Sequence, residues 1–175
     1  IERNITWNKD RLYNEINNKI LLITGAGGSI GSELTRQIIE LNPRKIIIID
    51  HTEYNLFKIL SELNILKKNQ NINIPIIDIL CSIKDKNKIK DIIFKYKPDY
   101  IFHAAAYKHV PLLENNSIEA VKNNIIGTLN LVQASLENKC EKFIFISTDK
   151  AVRPTNIMGA TKRFAEIILQ SYTSE

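Results

Sequence analysis

Residues 19–31 constrain most tightly what this chain can fold into. Lys19-Ile20-Leu21-Leu22-Ile23-Thr24 is a nearly unbroken apolar run, the pattern of a strand covered on both faces. It passes directly into Gly25-Ala26-Gly27-Gly28-Ser29-Ile30-Gly31 and then a helical stretch, Ser32 to Leu41, which Asn42-Pro43 ends. A strand buried on both faces needs helices above and below it, which a parallel sheet with crossover connections supplies. The glycines add a second constraint. The first permits a tight turn, the second lets backbone approach a pyrophosphate, and the third lets the helix pack closely on the strand. The helix start, with Ser29 and Ile30 between the last two glycines, would turn N–H groups and a positive dipole end toward such an anion. The spacing is GxxGxxG over Gly25, Gly28 and Gly31, not GxGxxG, so the loop alone also fits a purely structural turn.

The chain that follows narrows the choice. A second strand, Lys45-Ile46-Ile47-Ile48-Ile49-Asp50, ends in an acid 19 positions after Gly31. A carboxylate there can accept hydrogen bonds from an adenosine ribose, the alternative being a cap for the next helix. With His51-Thr52 next and no adjacent arginine, Asp50 favours NAD over NADP. The alternation continues with a helix from about Glu53 to Lys67, a strand within 72–83, and a helix over Asp85–Tyr96. Then come a strand over Tyr100–His103, a long helix over about Ile118–Glu137 and a strand over Phe143–Ser147. This predicts an α/β fold: a Rossmann-type doubly wound parallel sheet of order 3-2-1-4-5, with ligands at the carboxyl ends of strands 1, 4 and 5. Ala104-Ala105-Ala106, after strand 4, supply the small side chains that a cofactor needs to lie close to backbone, or else form a buried turn.

Polar groups gather after strand 5, in Ser147-Thr148-Asp149-Lys150, and an apolar-periodic segment, Phe164-Ala165-Ile167-Ile168, reads as a helix beyond them. A hydroxyl, a carboxylate and amines at a strand's carboxyl end sit where open α/β sheets bind ligands. Residues 1–18 contain Trp7, Leu12 and Ile16 among polar neighbours and read as a short helix or arm; residues 19–175 form the cofactor domain.

Composition removes other classes. A length of 175 residues suits one domain. The net charge of +5 comes from scattered lysines without interleaved aromatics, which argues against nucleic acid and for a phosphate-bearing small molecule. No apolar run reaches the roughly 20 residues of a membrane helix, so no membrane contact by these residues is expected. Cys81 and Cys140 have no metal spacing and the three histidines are dispersed, so no metal site is readable; reduced thiols suit the cytoplasm.

The Thr24–Gly31 loop, the run His103-Ala104-Ala105-Ala106-Tyr107-Lys108-His109-Val110-Pro111, Asn123-Asn124-Ile125-Ile126-Gly127-Thr128 and Ser147 to Arg163 together resemble the extended short-chain dehydrogenases/reductases. More narrowly, they resemble the nucleotide-sugar 4,6-dehydratases of bacterial capsule and protein-glycan assembly, which act on UDP-N-acetylglucosamine. The resemblance covers nearly everything from Lys19 onward. It implies that Gly25, Gly28 and Gly31 contact the NAD pyrophosphate, Asp50 the adenosine ribose, and Ser82 and Ile83 the adenine. Many relatives carry aspartate at the position of Ser82. Lys162 matches the lysine of the family's Tyr-x-x-x-Lys pair, which binds the nicotinamide ribose. The tyrosine position holds Met158, whose thioether cannot exchange a proton at neutral pH; the membrane-associated branch of these dehydratases shares this methionine.

The implied reaction is an internal redox cycle on the sugar: hydride leaves C4, water is lost across C5–C6, and hydride returns at C6. For that reaction the acid–amine pair at the end of strand 5 is assigned, with Lys150 as the C5 base, Asp149 as the acid at the C6 hydroxyl and Thr148 as a hydrogen-bond partner of O4. Tyr107 and Lys108 are secondary candidates for substrate contact or proton relay. A nucleotide-sugar 4-epimerase and a non-catalytic NAD-binding module are the alternatives. The substrate-gripping C-terminal region of full-length relatives lies beyond Glu175, so residues 1–175 alone are expected to be inactive. An open sheet edge would favour homo-oligomers. The full-length protein is expected in the cytoplasm or at the cytoplasmic face of the inner membrane.

Overall fold

A computed structural model of the chain describes residues 8–173, so Trp7 lies outside the described residues. The chain runs α1 (Lys9–Ile16), β1 (Ile20–Thr24), α2 (Ser29–Ile39), β2 (Lys45–Asp50), α3 (Glu53–Gln70) and β3 (Ile76–Leu80). It continues with α4 (Lys86–Tyr96), β4 (Tyr100–His103), α5 (Val110–Glu114), α6 (Ser117–Ala120), a π turn (Val121–Ile126), α7 (Gly127–Glu137), β5 (Lys142–Phe145), a 3-10 turn (Asp149–Ala151) and α8 (Ile157–Thr173). The five strands are parallel and ordered β3-β2-β1-β4-β5. Thr24 aligns with Ile49 on one side and His103 on the other, and His103 with Phe145, which brings these strand ends level.

Side chains alternate across the strands, so the apolar runs feed two cores. Leu21, Ile23, Ile46 and Ile48 pack with Ile38, Ile39, Leu56, Ile59 and Leu63 of α2 and α3. Leu22, Ile47, Ile49 and Ile101 pack on the other face with Ile89, Ile93, Leu131 and Ala134 of α4 and α7. Each fully buried leucine or isoleucine contributes about 1.5–3 kcal/mol, which accounts for the confinement of polar residues to the ends of β1 and β2. Ile16 of α1 joins the first core, while Glu15 pairs with Lys142 and accepts from the Tyr100 hydroxyl at 3.3 Å. These contacts close the end of the sheet opposite the carboxyl ends of the strands.

The helices depart most from the sequence reading in three places. α8 begins at Ile157, seven residues before Phe164, because Asn156 Oδ1 accepts from Gly159 N at 2.8 Å and Glu114 Oε1 from Ile157 N at 2.8 Å. The long helix over 118–137 is instead α6, the π turn and α7. α5 was not foreseen; its Pro111 stands in the first turn, where a missing N–H costs nothing.

Candidate functional site

The site is a crevice at the carboxyl ends of the strands, built first from the loop after β1. Gly25 has φ +64°, and a Cβ there would stand 2.7 Å from both Cα and N of Ala105. The turn therefore rests directly on the loop after β4, and the alanines serve that contact as well as the crevice wall. Gly28 N donates to Gly25 O at 3.0 Å. A Cβ on Gly28 would meet only Gly25 O, at 3.3 Å, so its other side faces open crevice. No side chain caps the start of α2 at Gly28, which leaves that helix end available to an anion.

Asp50, buried at the end of β2, accepts from Gly27 N at 3.0 Å and from Thr52 N at 2.9 Å. It thus ties the glycine loop to β2. Each carboxylate oxygen keeps acceptor capacity beyond its one backbone N–H.

At the other end stands Lys162, buried on α8. Its Nζ donates to Ile146 O at 2.6 Å and lies 3.8 Å from the centre of the Phe145 ring. Burial pushes this ammonium down from the ordinary 10.5 to about 8, against a smaller opposing pull from Glu166. The folded chain therefore holds this proton less tightly than the unfolded chain. Stability from this group rises as pH climbs from about 8 to 10.5 and is lost as pH falls back through that window. Lys162→Met is expected to flatten that rise by roughly 3 kcal/mol in denaturant titrations across the window. An unchanged pH slope would show that the amine is not buried as described.

After β5 the 3-10 turn packs on α8 at Gly159, where a Cβ would meet Lys150 O at 2.2 Å. Thr148 and Lys150 line the crevice. Asp149 does not: its side chain is 90% exposed and accepts from Thr148 Oγ1 and from Lys150 N, both at 2.9 Å. The Thr148 hydroxyl, then the Lys150 charge, hold its carboxyl below the ordinary 3.8. Lys150 Nζ is 3.9 Å from that carboxylate.

The crevice encloses about 420 Å³ and is lined by Gly25, Gly28, Ser29, Ile30, Gly31, Asp50, Ser82, Ile83, Ala104, Ala105, Ala106, Tyr107, Lys108, Thr148, Lys150 and Lys162, all singled out from sequence. Met158 also lines it, buried beside Leu113 and Ala120. Sequence reasoning did not assign His51, Asn55, Cys81 or Asn123 to the wall. Asn123 lies in a run already quoted and His51 adjoins Asp50, whereas Asn55 and Cys81 carry no local signal. The glycine turn, the uncapped helix end, the buried acid and the buried amine fit a dinucleotide laid from Ser82 to Lys162. Among the described residues there is no metal-binding cluster and no helix long and apolar enough to cross a membrane.

The family described as "Polysaccharide biosynthesis protein" matches residues 21–175. The chain is 45% identical over 161 residues to the capsular polysaccharide biosynthesis protein CapD of Staphylococcus aureus, covering 92% of this chain and 26% of CapD. It is 38% identical over 147 residues to an inverting UDP-N-acetylglucosamine 4,6-dehydratase of Campylobacter jejuni, covering 83% of this chain and 41% of that enzyme. The solved structure of Pen from Bacillus thuringiensis matches with a TM-score of 0.79 at 34% identity, covering 89% of this chain and 47% of Pen. The chain thus spans less than half the length of each of these relatives.

Proposed function

This chain belongs to the polysaccharide biosynthesis protein family of extended short-chain dehydrogenases/reductases, and from that premise we propose that it is the NAD-binding domain of a nucleotide-sugar 4,6-dehydratase acting on UDP-N-acetylglucosamine. The observation that carries this reading is that one crevice holds the glycine loop, Asp50, Lys162, Thr148 and Lys150. The similarity to the Campylobacter dehydratase supports the choice of reaction. NAD, when bound, supplies a hydride acceptor for sugar C4 and a donor for C6. The loop from Gly25 to Gly31 would hold its pyrophosphate, Asp50 its adenosine ribose and Lys162 its nicotinamide ribose.

The chain's own groups would handle the protons. Thr148 Oγ1 would hydrogen-bond the sugar O4 and pass the O4 proton to Asp149, to which its hydroxyl donates at 2.9 Å. Lys150 would take the C5 proton and return it as hydride comes back at C6. Asp149 gives a proton to the leaving C6 hydroxyl, so one water departs. For that step its carboxyl must turn from Thr148 toward the crevice and take up a proton as substrate excludes solvent around it. Met158 binds no proton and serves as apolar wall. Tyr107 and Lys108, which also line the crevice, are assigned to substrate contact. We propose that the reaction takes place in the cytoplasm.

Three measurements test this. NAD should raise the melting temperature of the chain in proportion to RT ln(1 + [NAD]/Kd). Gly28→Ala, which the fold admits with one close neighbour, should weaken NAD binding by at least about tenfold by pushing the pyrophosphate off the backbone. Unchanged affinity would show that no pyrophosphate lies there. The full-length enzyme, given UDP-N-acetylglucosamine, should yield a product lighter by one water. An epimerase would leave the mass unchanged, and a binding module would leave the sugar untouched.

A further inference from the structure

We propose that His103 is a positioning residue of this crevice: a neutral imidazole protonated on Nε2 that locks the end of β1, the π turn and the start of α8 into one arrangement. The inference rests on the reading of the crevice as an NAD site, and His103 itself does not line that crevice.

His103 is fully buried at the last position of β4. Nδ1 lies 2.8 Å from Thr24 Oγ1, the residue just before the glycine loop, and Nε2 lies 2.9 Å from Thr128 Oγ1 on α7. The proton directions follow from counting. Thr128 has one hydroxyl proton and donates it to Asn124 O at 2.7 Å, since a carbonyl only accepts. Thr128 Oγ1 must therefore accept from His103, so Nε2 carries the hydrogen. In the neutral ring Nδ1 is then an acceptor, and the Thr24 hydroxyl donates to it. Burial, reinforced by the charge of Lys162, pushes the imidazole down to about 3, so the ring stays neutral across the working range. The ring otherwise faces Phe145 and Phe143, with centroids at 5.4 and 6.0 Å.

The chain of donors ends on Asn124, whose side chain is fully engaged. Its Oδ1 accepts from Tyr107 N at 2.8 Å and Asn123 Nδ2 at 3.1 Å; its Nδ2 donates to Tyr107 O at 3.0 Å and Thr161 Oγ1 at 3.1 Å. Thr161 Oγ1 donates in turn to Met158 O at 2.8 Å. One buried amide thus holds both backbone groups of Tyr107 and the turn of α8 that precedes Lys162. Phe145, which His103 packs against, is also the ring on which the Lys162 ammonium sits. His103 therefore bears on Lys162 through two routes, one polar and one aromatic. An ordinary core position would be filled as well by leucine; what leucine lacks is the single donor that orients Thr128.

The test uses nitrogen-resolved NMR of the imidazole together with NAD titrations of the 175-residue chain. His103 should show an Nε2–H and no titration between about pH 5 and 8. An Nδ1–H form, or titration in that range, overturns the proposal without any reference to NAD. His103→Leu and, as a milder probe that keeps the fold should leucine not be tolerated, Thr128→Val should each weaken NAD binding by about tenfold and displace the pH midpoint of that binding. Both should also move the amide resonances of Tyr107 and Thr161 in the unliganded chain. His103→Gln, which keeps an N–H toward Thr128, should recover most of the affinity. Lower melting temperatures with unchanged affinity, pH midpoint and amide positions would reduce His103 to a core residue. If the unaltered chain binds no NAD, the dinucleotide reading falls, and the tautomer and amide shifts still decide the role of His103.

Discussion

Gly31→Ala should remove at least about 3 kcal/mol of folding stability, a large share of the roughly 5–15 kcal/mol a domain has. An added Cβ would lie 2.1 Å from Gly25 O, 2.8 Å from Gly25 C and 2.9 Å from Ala26 Cα, all backbone atoms. None can swing aside as a side-chain tip would. The turn cannot retreat either, because Gly25 is itself pressed on the Ala105 backbone. For a chain of this size, a loss of that order lowers the melting temperature by roughly 6–12 °C. Thermal and denaturant unfolding of Gly31→Ala beside Gly28→Ala is the relevant comparison, since the second variant has a single neighbour at 3.3 Å. Similar melting of the two would mean that helix and strand are not in the contact described.

Lys150→Ala and Asp149→Asn in the full-length enzyme should each lower turnover by about 10²–10⁴-fold while leaving NAD affinity in place. The reason is spatial: the 3-10 turn that bears them stands at the end of β5, apart from the glycine loop after β1. Single-turnover rates and NAD titrations on the same variants separate the two quantities. A parallel loss of NAD affinity would identify the pair as structural caps of the turn. Gly159 gives a related control, because the turn rests on it through the Lys150 backbone and not through either side chain.

The sheet was legible because its signal is local. Ile46 to Ile49 can form little other than a doubly covered strand, and the alternation of such runs with helical stretches carries the strand order. The glycine loop and Asp50 were legible for the same reason, as short runs with fixed offsets. What stayed hidden depends on partners far along the chain. The start of α8 is set partly by Glu114, 43 positions upstream, and small residues such as Gly159 and Ala160 mask the helical period there. The outward turn of Asp149 follows from hydrogen bonds to Thr148 and Lys150 that no periodicity records. His103 was readable as the end of a strand, but its partner Thr24 is 79 positions away, so its role appears only in the folded chain.

The π turn over Val121–Ile126 has a consequence best stated as helical phase. Each residue advances an α-helix by about 100°, and a π turn takes up one residue more than an α turn. Across it Asn123 and Asn124 face inward, as does Thr128 on α7, while Ile126 is left exposed. The turn thus absorbs the extra residue without shifting the phase of the helices that it joins, so removing one residue between Ala120 and Gly127 should restore regular helix and leave the two sides facing as before. Asn124 and Thr128, now four positions apart, would be three or four apart and would still share a face. What a deletion costs therefore depends on which side chain it removes: loss of the exposed Ile126 should be mild, whereas loss of Asn124 removes the amide that holds Tyr107 and Thr161.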